Sequence, residues 1–378
     1  MKFRAMKGIF LAGIVSAIGA GAAGADTRDA VPQLGSIIKR GQQFRDIQMT
    51  DGEEQKLGEA VSENIRARYG VVQDPAIHKY VTLVGSVLAQ ASSRPTLNWR
   101  FIVLDTDGVN ALAAPGGFIH ITRGALSLLK DESELAGVLG HEIIHVTEKH
   151  TIRAIQKGKM VQLGADETVG STAVFDKLVE KATGVVMAGF GRAEELEADQ
   201  KGVVLSDDVG YAPGGLGAFL QMLSDRNKAS TEKQGLFASH PEMKERLDKL
   251  AKKIQSDKLA STATVQERFT KHVTYKPVAI TAIATVEAGS AGLAGGGKPE
   301  EKTDAKAEEP KKKRGFGLGR LVAPSNDGEK KSAENTASQG SRGVDTERNA
   351  KGGANPRPVL VTVTAADLTA FKKDGKLN

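Results

Sequence analysis

Apolar residues recur at mixed three- and four-residue spacing from Glu53 to Tyr69 and again from Pro75 to Ala91, and this predicts two helices. The rhythm then changes. Trp99, Phe101 and Val103 take every second place within Leu97 to Leu104, which predicts a strand. Asp105 to Ala114 reads as a loop and Gly117 to Thr122 as a second strand. Helical spacing returns at Asp131 to Val146, with Leu135, Val138, Leu139 and Val146 on a buried face. Asp131 stands at the N-cap, and Glu134 three residues on completes a capping box. Further helices are expected over Ala173 to Ala188, residues 192 to 206, Leu216 to Leu223 and Lys244 to Ile254. The pattern as a whole is α+β: mostly helical, with a small β-sheet, spanning residues 36–255.

The ends of the chain differ in character. Residues 1–25 read as a secretory signal: Lys2, Arg4 and Lys7 precede an apolar stretch rich in small residues, and Ala23-Gly24-Ala25 fits a cleavage site. The competing reading is an uncleaved anchor. Residues 262–286 contain β-like stretches and predict a small β-rich extension, as a hairpin or a segment docked on the main domain. Residues 287–357, rich in Gly, Ala, Lys and Glu, lack the apolar content to fold alone and read as a disordered linker. Residues 358–378 close the chain with a strand-like Val359 to Val363 and a short helix.

Charge adds little. Losing the three basic residues of the first 25 would lower the net charge from +6 to +3, so the high pI argues neither for nucleic acid nor for a membrane. No nucleic-acid partner is expected. The Lys311 to Arg314 run leaves only a weak contact with anionic surfaces as a role for the tail. There is no cysteine, hence no disulfide framework and no lipid attachment at the cleavage point. No stretch beyond the signal is long and apolar enough to span a bilayer as a helix.

The chemistry sits in His141-Glu142-Ile143-Ile144-His145. On a helix, residues four apart lie nearly above one another, so His141 and His145 can offer two imidazoles to one metal ion. Glu142, one position round, is placed to act as a general base. A catalytic zinc needs a third protein ligand. A third histidine in the H-E-x-x-H-x-x-G-x-x-H register is excluded, because Glu148 and Thr151 stand at those places. His150 is one residue out of register and reads as structural or surface. A later acidic helix offers Glu195 as ligand, and Asp199, four residues on, can accept a hydrogen bond from a ligand histidine and fix its tautomer. Taken alone that helix would be a solvated acidic face; after H-E-x-x-H the metal reading is preferred.

Glu-x-Glu-Ala-Asp following His-Glu-x-x-His resembles the gluzincin family of CAAX prenyl endopeptidases. That family includes heat-shock membrane metalloproteases and soluble periplasmic proteases of outer-membrane quality control. Asn110-Ala111, Pro115-Gly116-Gly117-Phe118-Ile119, Thr122-Arg123-Gly124, Gly210-Tyr211-Ala212-Pro213 and Ser239-His240-Pro241 with Arg246 extend the resemblance over about residues 36–255. It implies a zincin-type fold with one Zn2+ per chain on His141, His145 and Glu195. Glu142 would be the base, and His240 and Arg246 would line the cleft to hold the oxyanion. A latent state with His240 on the metal is a further expectation. In zincin folds an edge strand holds an extended substrate, which casts Asn110, Gly116, Gly117, Phe118 and Ile119 as substrate-binding residues. His120 on the same strand reads as a face residue.

The function these features imply is a zinc-dependent metalloendopeptidase, periplasmic or secreted, cleaving misfolded or unassembled envelope proteins with Glu142 assisting the attacking water. The rivals are a zinc-stabilised envelope chaperone or scaffold, and a binder of anionic polymers acting through the basic tail.

Overall fold

The computed structural model describes residues 49–157, 172–227, 243–279 and 355–378. The expected signal, His240 and residues 287–354 of the expected linker lie outside these. In chain order the elements are α1 (Asp51–Tyr69), α2 (Pro75–Ala91), β1 (Arg100–Leu104), β2 (Ala111–Ala114), a 3-10 turn (Pro115–Gly117) and β3 (Phe118–Thr122). Then follow α3 (Arg123–Leu128), α4 (Glu132–Thr147), α5 (His150–Lys157), α6 (Thr172–Ala188) and α7 (Arg192–Asp208). The last are α8 (Gly215–Asn227), α9 (Met243–Asp257), α10 (Gln266–His272) and α11 (Ala365–Gly375). The fold is mostly helical with one small sheet.

Local chemistry starts the helices where the pattern places them. Thr50 caps α1 through a reciprocal capping box with Glu53. Asp74 caps α2, whose first residue is Pro75. Asp131 caps α4 by accepting from the Glu134 N–H at 3.0 Å, while Glu134 reaches back to the Lys130 N–H at 2.9 Å.

The sheet has three strands in the order β1-β3-β2, with β1 and β3 parallel and β2 and β3 antiparallel. Two expectations are corrected here. Ala111–Ala114, read as the end of a loop, is a strand. β3, read as an edge, is the central strand and is paired on both sides. Alternate residues divide the sheet between two apolar clusters. Phe101, Val103, Ile119 and Ile121 join the larger, packed with α2, α4 and α8. Ile102, Leu104, Leu112 and Phe118 join the smaller, packed with α1, α5 and α6. The sheet is therefore the middle of three layers. This explains why Phe118-Ile119-His120-Ile121-Thr122 is buried at every position rather than alternating.

α4 runs through the centre, and every one of its residues is buried, not one face only. Leu135, Leu139 and Ile143 are fully enclosed, each stabilising the fold by about 1.5–3 kcal/mol. Small residues let α7 approach it. A Cβ on Gly202 would sit 2.9 Å from the His141 nitrogen and 3.1 Å from the Gly140 carbonyl carbon. This close crossing brings the acidic side chains of α7 to the histidines of α4.

The segment around 262–279 departs from the β-rich expectation. It carries α10, with Phe269 buried in the larger cluster, and only an isolated bridge from Ala263 to Tyr211. The C-terminal segment returns to the domain. Asn355 accepts a hydrogen bond from the Val71 N–H, and the Asn378 N–H donates to Val209. Val359 to Val363, read as strand-like, forms no ladder, and α11 packs Leu368 and Phe371 into the larger cluster.

Candidate metal centre

His141 and His145 project from α4 into the crossing with α7. Both are almost fully buried, as are Glu142 and Glu195. The two Nε2 atoms lie 3.0 Å apart. Glu195 Oε2 is 3.5 Å from His141 Nε2, and Oε1 is 3.5 Å from His145 Nε2. His141, His145 and Glu195 thus converge ligand atoms on one point, and they are the group among the described residues that could hold a metal ion. Two imidazole nitrogens and a carboxylate are a donor set that fits zinc.

The surrounding groups orient these side chains. His141 Nδ1 lies 3.0 Å from Asp199 Oδ1. A carboxylate accepts only, so Nδ1 carries a hydrogen, and Nε2 is the nitrogen turned towards the centre. Arg246 reaches in from α9 and donates twice to Asp199, from Nε and from a terminal nitrogen, each at 2.8 Å. Its other terminal nitrogen is 3.2 Å from Glu195 Oε2. Burial pushes the Asp199 carboxyl up, yet Arg246 and His141 pull harder, and its pKa ends below the usual range. Burial lowers His141, but the carboxylates of Asp199 and Glu195 outweigh it and hold its pKa up at about 9. The centre therefore favours a positive charge at the place where a cation would bind.

Arg246, expected to face an oxyanion, has its guanidinium directed at Asp199 and Glu195. Its charge also acts on Glu142. The expected substrate residues divide. Asn110 ties β2 to β3, donating from its N–H to Thr122 Oγ1 at 3.0 Å and accepting the Thr122 N–H at 3.0 Å. The Gly116 N–H donates to Glu54 Oε1 at 3.1 Å. Gly116 has φ +71, and a Cβ there would lie 2.4 Å from the Gln55 Cα, so this turn accepts only glycine. Phe118 and Ile119 are buried on opposite faces of the central strand. The outer strand beside this helix is β2, and all four of its residues, Ala111–Ala114, are buried. His120 lies on the inner strand and meets Ser62 Oγ at 2.8 Å.

Residues 75–254 match the profile of Peptidase family M48. M48 peptidases are zinc metalloproteases, and the matched stretch contains His141, His145 and Glu195. The chain is similar to the beta-barrel assembly-enhancing protease of Escherichia coli (strain K12), 25% identical over 261 residues, which cover 65% of this chain and 52% of the relative. The mitochondrial metalloendopeptidase OMA1 of Schizosaccharomyces pombe is 27% identical over 218 residues, 56% of this chain and 64% of the relative. Metalloprotease YcaL of Escherichia coli is 28% identical over 185 residues, 48% of this chain and 71% of the relative. The chain thus spans about half the length of the first of these relatives. Among the described residues no helix is long and apolar enough to cross a membrane.

One group escaped the sequence reading. His150, taken as structural or surface, is fully buried with Nδ1 2.8 Å from His145 Nδ1. A break hides it: α4 ends at Thr147, Lys149 adopts φ 55, and α5 starts at His150. A continuous helix would have carried His150 round to another face.

Proposed function

We propose that this chain is a zinc-dependent metalloendopeptidase. The observation that carries the reading is the convergence of His141, His145 and Glu195 on one point, with Glu142 buried beside them on α4. When bound, zinc supplies a Lewis acid that lowers the pKa of water towards neutrality. Glu142 takes the proton of the attacking water and returns it to the leaving amine. Asp199 and Arg246 keep His141 and Glu195 in place while this occurs. Charge that develops on the attacked carbonyl falls to His240, supplied by the segment that leads into α9. Arg246 then serves mainly through Asp199 and Glu195.

Substrates are misfolded or unassembled envelope proteins, and the site of action is periplasmic. The signal-like pattern of residues 1–25 and the similarity to a beta-barrel assembly-enhancing protease support this assignment. The test is Glu142→Gln. The variant should keep its zinc and lose peptide cleavage by about 100- to 10,000-fold. Cleavage at the wild-type rate would overturn the assigned base, and a zinc-binding wild type that cleaves nothing would favour the scaffold reading.

A further inference from the structure

We infer that His150 and Glu197 are positioning residues that set the tautomer of His145 and so prepare its Nε2 for the metal. The inference rests on the reading of His145 as a metal ligand. His141 is oriented directly by a carboxylate, Asp199. His145 meets another imidazole instead: its Nδ1 lies 2.8 Å from His150 Nδ1. Two Nδ1 atoms at that distance share one hydrogen, and the contact alone does not say which ring carries it.

The far end of the chain decides. His150 Nε2 lies 3.1 Å from Glu197 Oε2. A carboxylate offers only lone pairs, so His150 Nε2 must carry a hydrogen and donate it. A neutral His150 then has a bare Nδ1, which accepts. His145 Nδ1 must therefore donate, and its Nε2 is left bare on the side facing His141 Nε2 and Glu195. The opposite arrangement would set His150 Nε2 lone pair against carboxylate lone pair. It would also place a hydrogen on His145 Nε2, where the metal has to bind.

The relay is held at both ends. Lys201 Nζ lies 2.7 Å from Glu197 Oε1 and Arg153 lies 3.4 Å from Oε2, so the carboxylate is aimed and kept ionised. Phe190 stacks on the His145 ring at 4.1 Å with an interplanar angle of 17°. The stack fixes the plane of the ring, and the hydrogen bond fixes its tautomer. α7 therefore serves both ligand histidines: Asp199 acts on His141 directly, and Glu197 acts on His145 through His150.

The test measures zinc affinity of the full chain by competition with a chromophoric chelator, with the melting temperature of the zinc-stripped protein as control. His150→Phe keeps the ring volume and removes the acceptor, and should weaken zinc about 10- to 100-fold. His150→Asn places an acceptor near the Nδ1 position and should recover most of that loss. Glu197→Leu, at a partly exposed position, should weaken zinc in the same direction, because His150 is then free to take either tautomer. It decides the matter if His150→Phe does not fold. Wild-type affinity in His150→Phe or in Glu197→Leu would overturn the relay, as would a His150→Asn variant as weak as His150→Phe at equal stability. A wild type that binds no zinc would overturn the metal reading itself, and the relay with it.

Discussion

At the scale of the residue, the centre is an arrangement of buried charges that hold one another. Arg246 is enclosed with Asp199 and Glu195, so removing it leaves carboxylates buried without their cation. Arg246→Met should destabilise the protein by about 3–5 kcal/mol in denaturant unfolding, and weaken zinc as well. A change below about 1 kcal/mol would show that the pair is solvated. The convergence of His141, His145 and Glu195 was legible because H-E-x-x-H places two of them together by helical geometry, and Glu195 and Asp199 share a face for the same reason. Arg246 was legible as a residue near the site, but its role was not. Whether a guanidinium faces a substrate or a carboxylate depends on how α9 packs against α7, and spacing along the chain does not carry that information. His150 was missed for a related reason, since the left-handed Lys149 redirects the chain without any glycine to announce it.

At the scale of the element, the crossing of α4 and α7 decides whether the ligands meet. Gly202 is the position that permits it, so Gly202→Val should force the helices apart. We expect a cost of about 1–3 kcal/mol from overpacking, together with weaker zinc binding in chelator competition. Wild-type affinity in a folded Gly202→Val protein would show that the ligands do not depend on this close approach. The longer helices were readable from periodicity and caps, α4 in particular from Asp131 and Glu134, whereas the short α3, α5 and α10 were not. The sheet was less so. β2 is Ala-Leu-Ala-Ala, which has neither alternation nor β-branched residues, and it is a strand because β3 pairs with it. The order of strands, with β3 inside, follows from packing between two helical layers, which no single segment records.

At the scale of the whole molecule, the C-terminal segment docks onto the N-terminal end of the metal helix. Glu132 is fully buried there. It accepts hydrogen bonds from Tyr80 at 2.8 Å and Tyr211 at 2.7 Å, and Arg268 donates from Nε at 2.8 Å. Arg268 in turn lies over the Phe371 ring at 3.6 Å and donates to the Phe371 carbonyl at 2.7 Å. Truncation after residue 354 should lower the melting temperature and expose this cluster, and an unchanged melting curve would contradict a docked tail. Burial, reinforced by the nearby Glu132, raises the pKa of both Tyr80 and Tyr211 above the ordinary value of 10.0. A raised folded-state pKa means stability that is present below the ordinary value and lost as pH rises towards the folded one. Tyr80 and Tyr211 should therefore stay un-ionised in an alkaline absorbance titration until the protein unfolds; ionisation near pH 10 in the folded state would contradict this burial. The measurement that bears most directly on the central claim is the zinc content of the chain purified from residue 26 onward, beside Glu195→Gln. The account predicts one zinc per chain in the wild type, lost or greatly weakened in the variant. A folded wild type without zinc, or a variant that holds it equally well, would contradict the three-ligand centre.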